Sequence, residues 1–302
     1  MLAAPTAAVV PGTARPGDVV LVSVGEAATP PSGTVAGRPL RFWQAGEQRW
    51  LAVAPLPTET PPGPAAVEVT ADGLPLAPPL ELVPPGFAST TLSVPPKFLE
   101  PPLEARRRMA LDQAALKKAY DQPFVPPRLS GPLAVPRDVE PSSRFGDQRV
   151  YNGKTEGVHY GLDLPGATGD PVGAAGDGEV VLARDCYMSG QTVLLWHGAG
   201  VFTAYFHLSR MEVKVGDRVG PGQRLGRVGS TGRSTGPHLH WGVKVDGLWV
   251  DPLSAARLDL SRGGLSEPRE PVALGEPVAP PEPPAPIAPP PPSADGAAAP
   301  PR

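Results

Sequence analysis

The sequence predicts an all-β chain: two β domains joined by a proline-rich connector. Short Val/Leu-rich runs recur across residues 15–83 and 144–258, each closed by Gly or Pro, which is the pattern of antiparallel strands and turns. Prolines number 45 in 302 residues, so little of the chain is free to form helix interiors or central strands. Only one stretch, 101–120, has convincing helical spacing.

In chain order, the N-terminal MLAAPTAAVVPG lacks a basic flank and is interrupted by Pro5 and Pro11, so it is not a complete signal peptide. Residues 1–14 are expected to be a leader remnant or a disordered segment. DVVLVSV, RPLRFW, RWLAVAPL and AAVEVTA then supply short strands, and Asp72-Gly73 is a hairpin signal. Strands at this spacing predict a small immunoglobulin-like β-sandwich over 15–83, with Trp43 and Trp50 among its core aromatics. Residues 84–143 read as a connector. Its helix, PPLEARRRMALDQAALKKAY, has Leu103, Met109, Leu116 and Tyr120 roughly on one side, and Arg106–Arg108 belong to a solvated face. Residues 121–143 are an extended Pro-rich strap. Residues 265–302 are so rich in Pro and Ala that a disordered tail is expected.

Composition removes several function classes. A net charge of −3 provides no basic field for nucleic acid or an anionic membrane. No apolar run approaches the ~18–20 residues needed to span a bilayer. The single cysteine, Cys186, rules out an intramolecular disulfide or a cysteine-cluster metal site, and reads as an inert thiol.

All five histidines lie within 144–258. In GPHLHWGV, His238 and His240 occupy alternate strand positions, about 6.6 Å apart on one face, with Leu239 on the other. A shared face of imidazoles suits a metal ion or acid–base chemistry. In GVHYGLDLPG, His159 and Asp163 are four apart, but the surrounding Gly and Pro argue against a helix. On a straight strand they would sit about 13 Å apart, too far to share an ion. The chain is therefore expected to bend, with Gly161 permitting it. Two imidazoles and a carboxylate would be three protein ligands with one position left for water, the open arrangement of catalytic zinc.

HYGLD, AYFHLS (204–209) and GSTGRSTGPHLHWGV (229–243), in this order, resemble the motifs of the LytM/lysostaphin-type zinc endopeptidases of bacterial cell walls. The resemblance spans roughly residues 142–254. It implies an antiparallel β-sheet groove domain over 144–258 with Zn2+ held by His159, Asp163 and His240. It also implies His207 and His238 as the catalytic pair, with Tyr151 and Asn152 as substrate contacts. The implied substrate is peptidoglycan, the implied location is the periplasm or cell envelope, and a regulatory protein partner is an expectation of the same kind. The alternative is a catalytically silent wall-binding or regulatory member of the same fold. His197 is expected to be structural, and Arg144 and Arg149 either to meet peptide carboxylates or to be solvated. Activity is expected to fall below about pH 6 as the imidazoles protonate.

Overall fold

A computed structural model describes residues 3–153 and 155–266. Strands dominate, with two α-helices among the described residues, α1 (Leu103–Tyr120) and the short α2 (Pro252–Ala256).

The N-terminal domain is a pair of four-stranded sheets. One runs Thr6–Val10, Val19–Gly25, Arg49–Pro55, Trp43–Gly46; the other runs Leu74–Leu76, Val67–Ala71, Ser32–Val35, Arg38–Pro39. Residues 6–14, expected to be a leader remnant or disordered, are part of this domain. Thr6–Val10 pairs antiparallel with Val19–Gly25, and Thr13–Ala14 pairs with Glu81–Leu82. Pro5 and Pro11 bracket the first strand instead of breaking it, and Val9 and Ala14 are buried.

The run DVVLVSV is apolar without alternation because both faces of its strand are covered. Val20, Val22 and Val24 face the sandwich core, while Val19 and Leu21 join the main core of the C-terminal domain. Leu51 and Val53 of the neighbouring strand point the same way, as does Trp43, which therefore serves the shared core and not the sandwich interior. Trp50 packs on the sandwich side, and its indole N–H donates to the Ala27 carbonyl at 3.0 Å.

The connector is more ordered than its composition suggests. Ser89–Leu92 forms a strand parallel to Gln148–Tyr151, which in turn pairs with Thr155–Val158. Helix α1 forms where predicted, and Leu116 and Tyr120 of the predicted face pack against the sheet. Leu103 is 66% exposed, whereas Ala105, Asp112 and Ala119 are buried. Asp112, on the same side, accepts hydrogen bonds from Arg184 Nε and the Tyr187 amide, both at 2.8 Å. Arg106–Arg108 are exposed, with Arg108 paired to Asp185. The strap buries Leu129 and Leu133 in the main core. Of the predicted Pro/Ala tail, Leu265 is ordered and pairs with Leu258, and residues from 267 onward lie outside the described part.

The C-terminal domain is a seven-stranded antiparallel sheet. Its order is Leu162–Pro165, His238–Val245, Val201–Leu208, Gly190–Trp196, Gly178–Cys186, Arg218–Val219, with Leu248–Val250 also paired to His238–Val245. In the strand His238–Val245, Leu239, Trp241, Val243 and Val245 face the core. His238, His240 and Lys244 alternate onto the opposite face. Helix α1 covers that face at the Lys244 end, where the Lys244 ammonium lies 4.2 Å from the centre of the Tyr120 ring. The His238 end is left open.

Candidate active site

The open end of the sheet is the floor of a groove of about 590 Å³. One wall comes from the Ser89–Leu92 and Gln148–Tyr151 strands, the other from Met188, Ser189 and the 233–237 loop.

Register brings the site together. Asp163 and His240 are direct cross-strand partners, and Asp163 Oδ1 lies 2.8 Å from His240 Nδ1. His159 leaves the end of the Thr155–Val158 strand and folds back, so that its Nε2 is 3.0 Å from Asp163 Oδ1 and 2.9 Å from His240 Nδ1. The predicted bend is present, but Gly161 takes no left-handed conformation. Its role is space: a Cβ there would meet His240 Nε2 at 2.6 Å and the Trp241 carbonyl at 2.7 Å. The carbonyl is held in the sheet and cannot yield. Gly161→Ala is expected to displace the His240 ring and weaken metal retention at least tenfold, measured as metal content after dialysis.

Three of the site imidazoles, His159, His207 and His238, have their tautomers set by a backbone acceptor. A carbonyl can only accept, so His159 Nδ1–H donates to Arg144 O at 2.8 Å and its Nε2 presents a lone pair to the site. His207 Nδ1 donates to Thr231 O and His238 Nδ1 to Gly236 O, each at 2.8 Å. In the neutral form of either ring the lone pair is then on Nε2, and the ring centroids are 5.0 Å apart. His238 Nε2 lies 3.5 Å from Asp163 Oδ1.

His207 reaches this face through a bulge. Gln191 pairs with Leu208 and Val193 with Tyr205, so Phe206 and His207 together oppose the single residue Thr192. His207 has φ 60°, a left-handed conformation that His tolerates better than bulky residues do. On a regular strand neighbours point to opposite faces; the bulge re-aims His207 toward His238, while Phe206 stacks on His240 at 5.3 Å.

Electrostatics favour a cation. Burial alone would raise the Asp163 carboxyl, but the His159 and His240 rings set against it prevail and hold it well below the usual carboxylate range. Burial pushes His207 down to about 3, helped by the neighbouring His240 and His238. His240 is lowered as well, chiefly by burial. Arg149 fixes the other Asp163 oxygen, with Nη2 2.5 Å from Oδ2 and 2.8 Å from Ser143 Oγ. It neither meets solvent freely nor waits for a peptide carboxylate. Two lone-pair nitrogens and a carboxylate oxygen 2.8–3.0 Å apart fit a small divalent ion. Donors about 2.0–2.1 Å from a tetrahedral ion stand roughly 3.3 Å apart, a separation small adjustments would reach.

The remaining predicted residues have these places. Tyr151 lines the groove. Asn152 is not among the residues that line it: its amide accepts from Val94 N and donates to Val94 O, both at 2.9 Å, and so ties down the Ser89–Leu92 wall. Arg144 lends its carbonyl to His159, and its exposed guanidinium stands 3.8 Å from Glu140. Cys186 is buried, and burial raises its thiol pKa. His197 is wholly buried, with Nδ1 donating to Asp177 O at 2.6 Å and Nε2 2.8 Å from Thr203 Oγ1. Sequence reasoning missed Ser143, Arg233 and the wall strand Ser89–Leu92. Arg149 and Tyr151 sit two apart on one strand, and that alternation was the available signal for Arg149.

Burial lowers His197 to about 4, against about 6.5 in an unfolded chain. Between these values the unfolded chain takes up a proton that the folded chain refuses, so stability should fall as pH falls from 6.5 to 4. The contribution is about 3 kcal/mol. Asp18, raised to about 6 by burial, acts in the opposite sense below that pH. The check is urea unfolding of the wild type against His197→Gln, which keeps Asp18: the variant should lose stability less steeply toward acid.

A three-donor cation site with an open side, flanked by two further imidazoles in a groove, is the arrangement of a metallohydrolase centre. Residues 157–252 match the family model Peptidase family M23. The peptidoglycan DD-endopeptidase ShyA of Vibrio cholerae is 42% identical over 115 residues, covering 38% of this chain and 27% of that protein. ShyC of the same organism is 38% identical over 140 residues, covering 46% of this chain and 30% of that protein. A crystal structure of a Pseudomonas aeruginosa protein assigned to peptidase M23 superposes with a TM-score of 0.60 at 32% identity, covering 83% of this chain and 96% of that one. The chain belongs to peptidase family M23. It spans less than a third of the length of these curated relatives.

Proposed function

We propose that the chain is a zinc-dependent endopeptidase that hydrolyses stem peptides or peptide crosslinks of bacterial peptidoglycan, outside the cytoplasm. The observation that carries this reading is the convergence of His159, Asp163 and His240 on one point, with the His207–His238 pair beside it at the floor of an open groove. Peptidoglycan is the substrate class in the names of the relatives ShyA and ShyC. Zinc is the ion that a two-histidine, one-carboxylate set with an open position suits best.

When bound, the zinc ion supplies Lewis acidity, bringing the pKa of water toward 7 and polarising a carbonyl. The protein supplies the rest. Arg149 and Ser143 hold the Asp163 side chain, and Arg144 O sets the His159 tautomer. His238, the nearer of the pair to the donors, accepts the proton of the attacking water at Nε2 and passes it to the departing amine. His207 stands across from it as second partner; once protonated, either ring can donate to oxygen charge developing on the carbonyl. The silent wall-binding alternative is disfavoured because all five side chains are present and aimed together.

The test is digestion of purified sacculi with and without a chelator, with zinc added back, read by mass spectrometry of released muropeptides. Chelator-sensitive release, restored by zinc, is expected. Intact sacculi with one bound zinc per chain would shift the substrate assignment, and intact sacculi with no zinc would favour the wall-binding reading.

A further inference from the structure

The groove contains a cation that the chemistry above does not use. Among the described residues lining it, the charged side chains are Asp147, Arg149, Asp163 and Arg233. Asp163 is matched by Arg149. Asp147 accepts from the Arg144 and Ala88 amides. Arg233 forms no ion pair among the described residues. Its guanidinium lies 4.8 Å from the centre of the Tyr151 ring, reaching from the 233–237 loop to the opposite wall. Stacking on an aromatic face holds the planar fork while leaving its N–H edge free to donate.

The backbone beneath Arg233 is fixed. Its amide donates to Met188 O at 2.7 Å, and Thr231 Oγ1 donates to Leu208 O at 2.7 Å while accepting from Gln191 N at 2.9 Å. Gly232 adopts φ 72°, and a Cβ there would strike the backbone of Gly190 and Met188. The loop thus presses against the start of the Gly190–Trp196 strand, and the guanidinium is presented from a rigid base. Five residues on, the same loop delivers His238.

We propose that Arg233 is a specificity-determining residue, its guanidinium over Tyr151 receiving a carboxylate of the substrate peptide beside the bond to be cut. The inference rests on the peptidase reading and narrows it to anionic peptides. A half-buried, preorganised guanidinium matches a carboxylate bidentately, and an amide in that place would leave N–H groups facing its NH2. A charge-assisted pair of this kind discriminates roughly ten- to hundredfold.

The test uses the full chain, loaded with zinc, and two probes: a synthetic crosslinked stem-peptide dimer with free carboxylates, and the same dimer with those groups as carboxamides. Cleavage is followed by mass spectrometry, and binding of the corresponding cleaved products by calorimetry, which reads the groove whether or not turnover occurs. The free acid should be cut and bound at least tenfold better. Arg233→Met should bring both ratios close to one, and Arg233→Lys, which keeps charge without the fork, should retain only part. Thermal melting and zinc content identify a variant that merely misfolds; in that case the partial loss in Arg233→Lys decides. A wild type indifferent to amidation, or an Arg233→Met protein that keeps the preference, overturns the proposal. A binding preference lost in Arg233→Met, with neither dimer cleaved by the wild type, would uphold the carboxylate site and overturn the peptidase reading.

Discussion

Replacing His240 by alanine is expected to empty the metal site and abolish hydrolysis together. His240 Nδ1 is one of three donors, and it stands 2.8 Å from Asp163 Oδ1 and 2.9 Å from His159 Nε2. Removing it leaves two donors, one of them the Asp163 carboxylate. The affinity loss should exceed the roughly 10–100-fold typical of losing a supporting residue next to a ligand. The ring also stacks on Phe206, so a small loss of stability should accompany the change. Metal content by mass spectrometry of the native protein reads the first effect and muropeptide release the second. A variant that keeps one zinc per chain would refute the assignment of His240 as a ligand.

Replacing His238 by alanine should separate the two effects. His238 holds no place among the three converging donors, and its Nδ1 proton is spent on Gly236 O. Activity should fall about 10²–10⁴-fold, the range for loss of a general base, with zinc retained near one equivalent. Loss of metal here would mean that His238 is a ligand. The pair of variants distinguishes two residues that differ by a single position along one strand face.

That shared face was legible from the sequence, because alternation in a strand depends only on neighbouring residues. His159 and Asp163 were also legible as partners, together with the need for a bend between them. The cross-strand pairing of Asp163 with His240 was not. Register between strands 77 residues apart is set by the whole sheet and not by either segment. The same holds for Arg149, whose function is defined by a carboxylate 14 residues later in sequence but adjacent in space. Asn152 shows the converse: its local turn chemistry was visible, while its partner, the Val94 backbone, came from the part of the connector before the helix, where no element had been expected. The helix in that connector was found by periodicity, and Leu116 and Tyr120 of its predicted face pack inward; Asp112, buried on the same side, is a charged residue that a hydrophobic pattern cannot register.

The strand Val19–Gly25 contributes side chains to two cores at once. Neither core can then melt while the other stays whole, so heating should give one cooperative transition for residues 3–266 instead of two. The N-terminal sandwich is accordingly no detachable module. A fragment beginning near residue 84 would lose Val19, Leu21, Trp43, Leu51 and Val53 from its interior and leave a bare apolar face. Such a fragment should aggregate on expression, and cutting this protein down to its peptidase motifs would discard part of what folds them.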